Sequence, residues 1–371
     1  MPETQDNRSQ TVLSHGQNRV RTVQKRLAEI NADALLIVSR ENTRYYSHFA
    51  GTESFLLIGR EQAWILTDFR YLEQVGRQSP HVQLIDNTID RESALQPLFE
   101  QEKVKRLAIE ADDLTYRLSQ QLLSMRPGME LVSFDSQLAD IRSVKDEEEL
   151  RLMQQATDIA EAALADVMAL IRAGTTEVRI AAALEQGMRE RGAEGPSFAT
   201  IVASGPRSAL PHGLASDRCL AEGDAVVIDF GCQYQGYMSD MTRTFFVGSV
   251  SEHDRMIYDL VLKAHLEALA AVRAGKTGAE LDQVARGMIE AAGYGPQFGH
   301  GLGHGVGLAI HEAPRLSRTW QQPLAAGQIV TVEPGIYLSG RMGVRIEDMA
   351  VVLPDGCRSF NRFDKSLLVL G

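Results

Sequence analysis

Residues 225–246 read Ala-Val-Val-Ile-Asp-Phe-Gly-Cys-Gln-Tyr-Gln-Gly-Tyr-Met-Ser-Asp-Met-Thr-Arg-Thr-Phe-Phe. The run 225–230 has the composition of a buried strand, with Asp229 as its single charge. After the turn-like Gln233-Tyr234-Gln235-Gly236, residues 237–246 return as a second strand. A turn centred between Tyr234 and Gln235 sets Asp229 directly opposite Asp240, and cross-strand partners have Cβ atoms roughly 5 Å apart. Both carboxylates then share one face. Glu333 and Glu347 repeat the device across Leu338-Ser339-Gly340-Arg341-Met342-Gly343, and His304 lies between the two hairpins. Four carboxylates in a partly buried pocket repel one another unless protonated or neutralised. Two divalent cations bring the four positive charges that balance them. The spacing points to a dinuclear metalloenzyme.

The rest of the chain sets bounds on that expectation. A length of 371 residues suits two or three domains. A hydrophobic fraction of 44% beside 23% charged residues is that of a globular, water-exposed protein. The net charge of −11 argues against a nucleic-acid partner. No apolar stretch reaches the ~18 residues of a membrane span, and the polar N-terminal residues lack the apolar core of a signal peptide. Cys219, Cys232 and Cys357 form no CxxC pair, which fits free thiols in the cytoplasm.

Residues 16–140 alternate apolar runs with helical patterns, as an α/β unit large enough for its own core. Ala34-Leu35-Leu36-Ile37-Val38, Phe55-Leu56-Leu57-Ile58, Ala63-Trp64-Ile65-Leu66 and Leu107-Ala108-Ile109 read as strands; residues 19–30 and 114–125 read as helices. Residues 1–15 form a polar tail. From residue 141 the character changes: a serine and an acidic run lead into an amphipathic helix over 147–171. The second domain, 141–371, carries an internal duplication. Both copies place Arg-Ala-Gly-x-Thr before a helix, Gly-Met inside it and Gly-Pro-x-Phe after it, beginning at Arg172 and Arg273. A His-containing segment and a carboxylate hairpin follow each copy. Two pseudo-symmetric αβ halves with metals at their seam are expected.

A lone Asp in a strand is usually structural; the paired carboxylates are what favour ligation. The glycine-rich residues 299–307 contain no Gly-x-Gly-x-x-Gly and no Gly-Lys-Ser/Thr, so a phosphate loop is a weak reading. Their glycines are expected to let the backbone approach the metals. His311-Glu312 continues Ala-Pro-Arg, which excludes the His-Glu-x-x-His zinc helix. His212, His300, His304 and His311 cluster in the segments beside the carboxylates, whereas His15, His48, His81, His253 and His265 keep a structural reading. Four carboxylates and one imidazole suit Mn²⁺, Co²⁺ or Zn²⁺. Two such ions can hold a bridging hydroxide and polarise a carbonyl, so metal-assisted hydrolysis is the reaction class reached from the residues.

These segments resemble the peptidase family of methionine aminopeptidase, aminopeptidase P and prolidase, with its pita-bread catalytic domain. The motifs are Ser204-Gly205 through Pro211-His212-Gly213, Val227-Ile228-Asp229-Phe230-Gly231, Ser239-Asp240-x-Thr242-Arg243-Thr244, and Gly303-His304-Gly305-x-Gly307-Leu308. His311-Glu312-x-Pro314, Glu333-Pro334-Gly335-x-Tyr337 and Arg345-Ile346-Glu347-Asp348 complete them. Asn42-Thr43-Arg44-Tyr45-Tyr46 and Thr67-Asp68-Phe69-Arg70-Tyr71 resemble the N-terminal domain of the Xaa-Pro peptidase and creatinase branch. The resemblance implies a mixed α/β protein: a creatinase-like α/β domain followed by the pita-bread domain.

It also implies roles. Asp229 would bind one of two divalent ions, with Mn²⁺ favoured; Asp240 and Glu347 would bridge both; His304 and Glu333 would complete the other shell. Glu333 would also relay a proton. His212 and His311 would donate to the developing oxyanion. His300, Tyr337 and Arg345 would stand behind the ligands or line a proline pocket. The activity implied is aminopeptidase P, cleaving Xaa-Pro bonds at the N-termini of proline-containing peptides, with prolidase as the alternative and a homodimer as the assembly. A metal-free creatinase-type amidinohydrolase and a non-catalytic peptide-binding module share the fold. The intact carboxylate quartet speaks against both.

Overall fold

The computed structural model describes residues 5–371, with side chains from residue 15 onward, and divides into two compact units, Met1–Ile141 and Arg142–Gly371. The tail expected at 1–15 lies partly outside the described residues. From Gln5 the backbone is already helical, in a helix running Gln5–Glu29. No proline interrupts that polar stretch, so the helix starts ahead of the apolar periodicity that marks residues 19–30.

In the first unit, β1 (Ala34–Ile37), β2 (Phe55–Gly59), β3 (Ala63–Thr67), β4 (Gln83–Asp86), β5 (Arg106–Ile109) and β6 (Glu130–Ser133) form one sheet. Its order is β4-β3-β2-β1-β5-β6. The four strands foreseen from apolar runs are its buried centre. The other two are edges with mostly exposed residues, so neither carries a continuous apolar run to read. Leu36, Leu57, Trp64, Leu66 and Leu107 pack with Leu95, Phe99 and Leu122 from flanking helices.

The second unit opens on the helix Glu147–Val167, started by a capping box between Asp146 and Glu149 and closed by a 3₁₀ turn at Met168–Leu170. The helix therefore stops four residues short of the expected 171. In its first half come β7 (Gly195–Pro196), β8 (Ile201–Ser204), β9 (Ala225–Phe230), β10 (Cys232–Tyr234), β11 (Tyr237–Met238) and β12 (Met241–Val247). The second half holds β13 (Gly303–Gly305), β14 (Glu312–Leu316), β15 (Ile329–Val332), β16 (Gly335–Leu338), β17 (Met342–Arg345) and β18 (Asp348–Val352). The duplicated motif is structural in both copies: Thr176 and Thr277 cap the helices Glu177–Glu190 and Gly278–Ala291 by accepting from the third backbone N–H. Each half has its own core. Ile159, Leu164, Ile180 and Leu184 pack under Val226, Ile228 and Phe245 in the first. Ile257, Val261, Leu281 and Ile289 pack under Val330, Val332 and Val344 in the second.

One buried cation ties β12 to β18 and to the C-terminal segment. All five N–H groups of Arg243 have acceptors: Thr242 O and Glu347 O through Nη1, Asp348 Oδ1 and Phe363 O through Nη2, and Asp364 O through Nε. Burial works against the charge on Asp348, but His265, Arg243 and Lys365 hold its carboxyl well below the usual range. No helix among the described residues is long and apolar enough to cross a membrane. Because breaking one partner of a buried ion pair strands the other charge, Arg243→Met is expected to cost about 3–5 kcal/mol of stability. Urea denaturation checks this, and an unchanged midpoint would contradict it.

Candidate metal centre

Strand ends deliver the five expected ligands. Asp229 stands near the end of β9, Asp240 in the break before β12, His304 within β13, Glu333 just past β15 and Glu347 between β17 and β18. The second hairpin pairs Val332 with Asp348 and Gly335 with Arg345, a register that sets Glu333 opposite Glu347. The first hairpin differs from its expected register. Its two-residue turn is Gln235-Gly236, both with positive φ (47° and 82°), enclosed by Tyr234 paired with Tyr237. Such a turn matches strand twist and takes glycine readily at its second position. Centring it one residue later moves every partner by two, so Asp229 faces Thr242, not Asp240. A shift of two preserves the face. The chain breaks at residues 239–240, where the Ser239 hydroxyl accepts from the Cys232 N–H, and Asp240 still turns into the site.

All ten residues singled out in the sequence line one cavity of about 850 Å³. Ligand atoms of Asp240, His304 and Glu347 lie within 4.8 Å of one another, and all three residues are buried. His304 Nε2 is 3.6 Å from Asp240 Oδ2 and 3.4 Å from Glu333 Oε1. Asp229 is drawn to the buried Arg345, whose Nη2 donates to Asp229 Oδ2 over 2.6 Å. Asp229 Oδ1 is buried with no hydrogen-bond partner.

Charge crowding shows in the proton affinities. Burial, then the charges of Glu347, Asp229 and Glu333, push the Asp240 carboxyl well above its ordinary range. Burial, Glu333 and Asp229 do the same to Glu347. Glu333 rises to about 7 through burial, with Arg345 opposing and Asp229 reinforcing. Burial holds His304 down at about 3, so its imidazole is neutral and able to ligate. An orphaned carboxylate oxygen, an oxygen-rich donor set and one neutral imidazole fit hard or borderline divalent cations.

Around the ligands, hydrogen bonds fix the other side chains. Arg345 Nη1 donates to Tyr337 Oη over 2.7 Å, and Tyr337 Oη is 3.0 Å from His300 Nε2. His300 Nδ1 is 2.8 Å from Gly301 O, which makes Nδ1 the protonated nitrogen and Nε2 the acceptor. His300 is thus committed to Tyr337 on the cavity wall. His212 and His311 are exposed into the cavity, and the His311 ring packs edge-on against His304 with centroids 4.4 Å apart.

Buried ion pairs and carboxylates hold the histidine-bearing loops. Glu177 accepts from Ser204 and Ser216 backbone and hydroxyl groups and from Arg207, which braces residues 204–216 around His212. Asp282 accepts from Leu302 N, and its partner Arg286 donates to Phe298 O and His300 O. Glu312 binds Lys145, Arg142 and Ala309 N beside His311. Burial opposes its charge, yet Lys145 and Arg142 bring its carboxyl down to about 2.

Sequence reading missed three residues here. Arg315, opposite His304 across β13 and β14, is exposed on the cavity wall, and among the described residues its guanidinium has no side-chain partner. Thr242 and Thr331 lie buried behind the carboxylates. A further correction concerns the glycine-rich segment. A Cβ on Gly303 would sit 2.0 Å from Thr331 O, and one on Gly305 2.3 Å from Ala313 O. The close contact these glycines permit is between β13 and neighbouring backbone, where the sequence reading expected an approach to the metals.

Residues 151–354 match metallopeptidase family M24, and residues 19–144 match the creatinase/prolidase N-terminal domain. The structure of a Xaa-Pro dipeptidase from Bacillus anthracis is 37% identical, with a TM-score of 0.93 over 96% of this chain and 100% of that one. An X-Pro aminopeptidase from Thermotoga maritima is 38% identical, with a TM-score of 0.88 over 95% and 99%. A curated Xaa-Pro dipeptidase from Pyrococcus horikoshii is 37% identical over 91% of this chain and 94% of its own length.

The raised Glu333 carboxyl has a consequence for stability. A carboxyl whose folded proton affinity exceeds its unfolded one makes the metal-free fold lose stability as pH rises from about 4.5 to about 7. In EDTA, Glu333→Gln should remove that part of the slope, on the order of 2–3 kcal/mol. Melting curves from pH 5 to 7.5 test it, and parallel slopes for the two proteins would contradict it.

Proposed function

This chain belongs to metallopeptidase family M24, and from that membership we propose that it is a dinuclear Xaa-Pro exopeptidase acting as a dipeptidase. Asp229 would hold one ion, Asp240 and Glu347 both, and His304 with Glu333 the other; Mn²⁺ is favoured, with Co²⁺ or Zn²⁺ able to serve. Bound, the pair supplies an activated water nucleophile and polarises the scissile carbonyl. The chain's own residues do the rest. Glu333 would take the water's proton at Oε2, the oxygen that Thr331 leaves free, and deliver it to the departing proline nitrogen. His212 and His311 donate N–H groups to the carbonyl oxygen as negative charge develops on it, each contributing a few kcal/mol of transition-state stabilisation.

Proline at the second position offers no N–H and a fixed φ near −65°. A wall of ring faces from His300, His311 and Tyr337 suits that ring. The observation that carries the dipeptidase reading is Arg315. An unpaired cation beside the ligands matches the C-terminal carboxylate of a two-residue substrate, which lies one residue beyond the scissile bond. The sequence alone favours aminopeptidase P, and the likeness to the Thermotoga maritima enzyme keeps that as the second reading. The three free cysteines support a reducing, cytoplasmic setting. The N-terminal domain's resemblance supports a homodimer.

EDTA should abolish hydrolysis and Mn²⁺ or Co²⁺ should restore it; full activity in the stripped enzyme would sink the metal assignment. Ala-Pro should be cleaved in preference to Ala-Pro-Ala. Arg315→Gln should cost the dipeptide about 10–100-fold in kcat/KM, the worth of one charged hydrogen bond. Equal cleavage of both peptides, untouched by Arg315→Gln, returns the assignment to aminopeptidase P. Light scattering at micromolar concentration should give a dimer, and a monomer would contradict that part.

A further inference from the structure

Thr242 and Thr331 are fully buried, and neither meets substrate in the scheme above. Thr242 follows Asp240 by two residues on β12; Thr331 precedes Glu333 by two on β15. Each hydroxyl sits between one N–H group and one carboxylate. Arg345 Nε donates to Thr242 Oγ1 over 3.0 Å, and that oxygen is 2.7 Å from Glu347 Oε2. The backbone N–H of His304 donates to Thr331 Oγ1 over 3.0 Å, and that oxygen is 3.1 Å from Glu333 Oε1.

The direction of each hydrogen bond follows from chemistry. A guanidinium and a backbone amide can only donate, so the hydroxyl oxygen must accept from them. Its single hydrogen is then left for the carboxylate. Threonine adds stiffness, because a β-branched side chain has few χ1 choices and the hydroxyl keeps one aim. An O–H fixed on one carboxylate oxygen uses one lone pair there. It sets the carboxylate's rotation and leaves the remaining lone pairs to the cavity.

Each hydroxyl also joins two of the five ligands. Through Arg345, which donates to Asp229 Oδ2, Thr242 links Glu347 with Asp229. Through the backbone of His304, Thr331 links Glu333 with the imidazole that lies 3.4 Å from it. One threonine serves each side of the centre, on β12 from the first half and β15 from the second.

We infer that Thr242 and Thr331 are positioning residues for the metal ions, each holding a ligand carboxylate in the rotation that binding requires. The inference rests on the ligand assignment proposed above. Hydrogen-bond partners that orient metal ligands typically set affinity by 10–100-fold. Thr331 acts on a carboxylate of one ion; Thr242 acts on Glu347, which both ions would share.

The test titrates EDTA-stripped protein with Mn²⁺ by calorimetry, with bound metal counted by elemental analysis. Thr331→Val should weaken one of the two ions by about 10–100-fold, and Thr242→Val should weaken both by a similar factor. Thr331→Ser and Thr242→Ser should bind nearly as wild type, since the hydroxyl is retained. The metal-free melting midpoints of the serine variants should stay near that of wild type. If a valine variant fails to fold, alanine at the same position takes its place with the same expectation. Wild-type affinity in the variants lacking the hydroxyl overturns the inference. So does a serine variant as weak as its valine counterpart, because the methyl group would then be what matters. A wild-type chain that binds no Mn²⁺ would instead remove the ligand assignment itself, and this inference with it.

Discussion

Mutual repulsion among Asp229, Asp240, Glu333 and Glu347 is the constraint on which the catalytic unit depends. Taking several carboxylates out of water beside one another is costly unless charge is matched. Among the described residues Arg345 is the cation hydrogen-bonded to the quartet, and it is spent on Asp229 and Tyr337. The other carboxyls answer by binding protons more tightly than usual. That state is the metal-free compromise. It makes the cavity a strong receptor for divalent cations, which displace those protons as they bind.

Such a centre needs rigid support, and the duplicated architecture supplies it. In each half a helix capped by the threonine of its own repeat backs a set of strands over a separate apolar core. The candidate ligands sit at or near strand ends, where the backbone is held by ladder hydrogen bonds and by packing. The donors His212 and His311 come from loops, which would ordinarily be loose. Glu177 and Glu312 hold those loops from beneath with charge-assisted hydrogen bonds. Asp282 and Arg286 do the same for the segment that carries His300.

The sequence brought the candidate ligands together because carboxylates stand out against apolar strands, and because the pattern occurs twice; the structure places them in one cavity. The sequence also made the central strands of the first unit legible, since each is an apolar run. The edge strand Gln83–Asp86 stayed hidden, because most of its residues face water. The first hairpin's register was off by two because the turn depends on backbone torsions at Gln235 and Gly236, and composition alone does not fix its centre. The glycines of β13 were expected to let the backbone approach the metals, and the close approach the structure shows is to neighbouring strands. Thr331 and Arg315 carry no mark in the sequence, and Thr242 stands there only as one position of a motif, with no role attached. A threonine in a strand and an arginine near a loop are ordinary there, and only their position relative to the carboxylates gives them meaning.

The account's central claim is charge matching: four clustered carboxylates balanced by two divalent ions. Calorimetric titration of the stripped chain with Mn²⁺ near pH 6.5, repeated in buffers of different ionisation enthalpy, tests it most directly. The account predicts two ions per chain and a net release of protons as Asp240, Glu333 and Glu347 give theirs up. Fewer than two ions, or binding with no proton release, would contradict it.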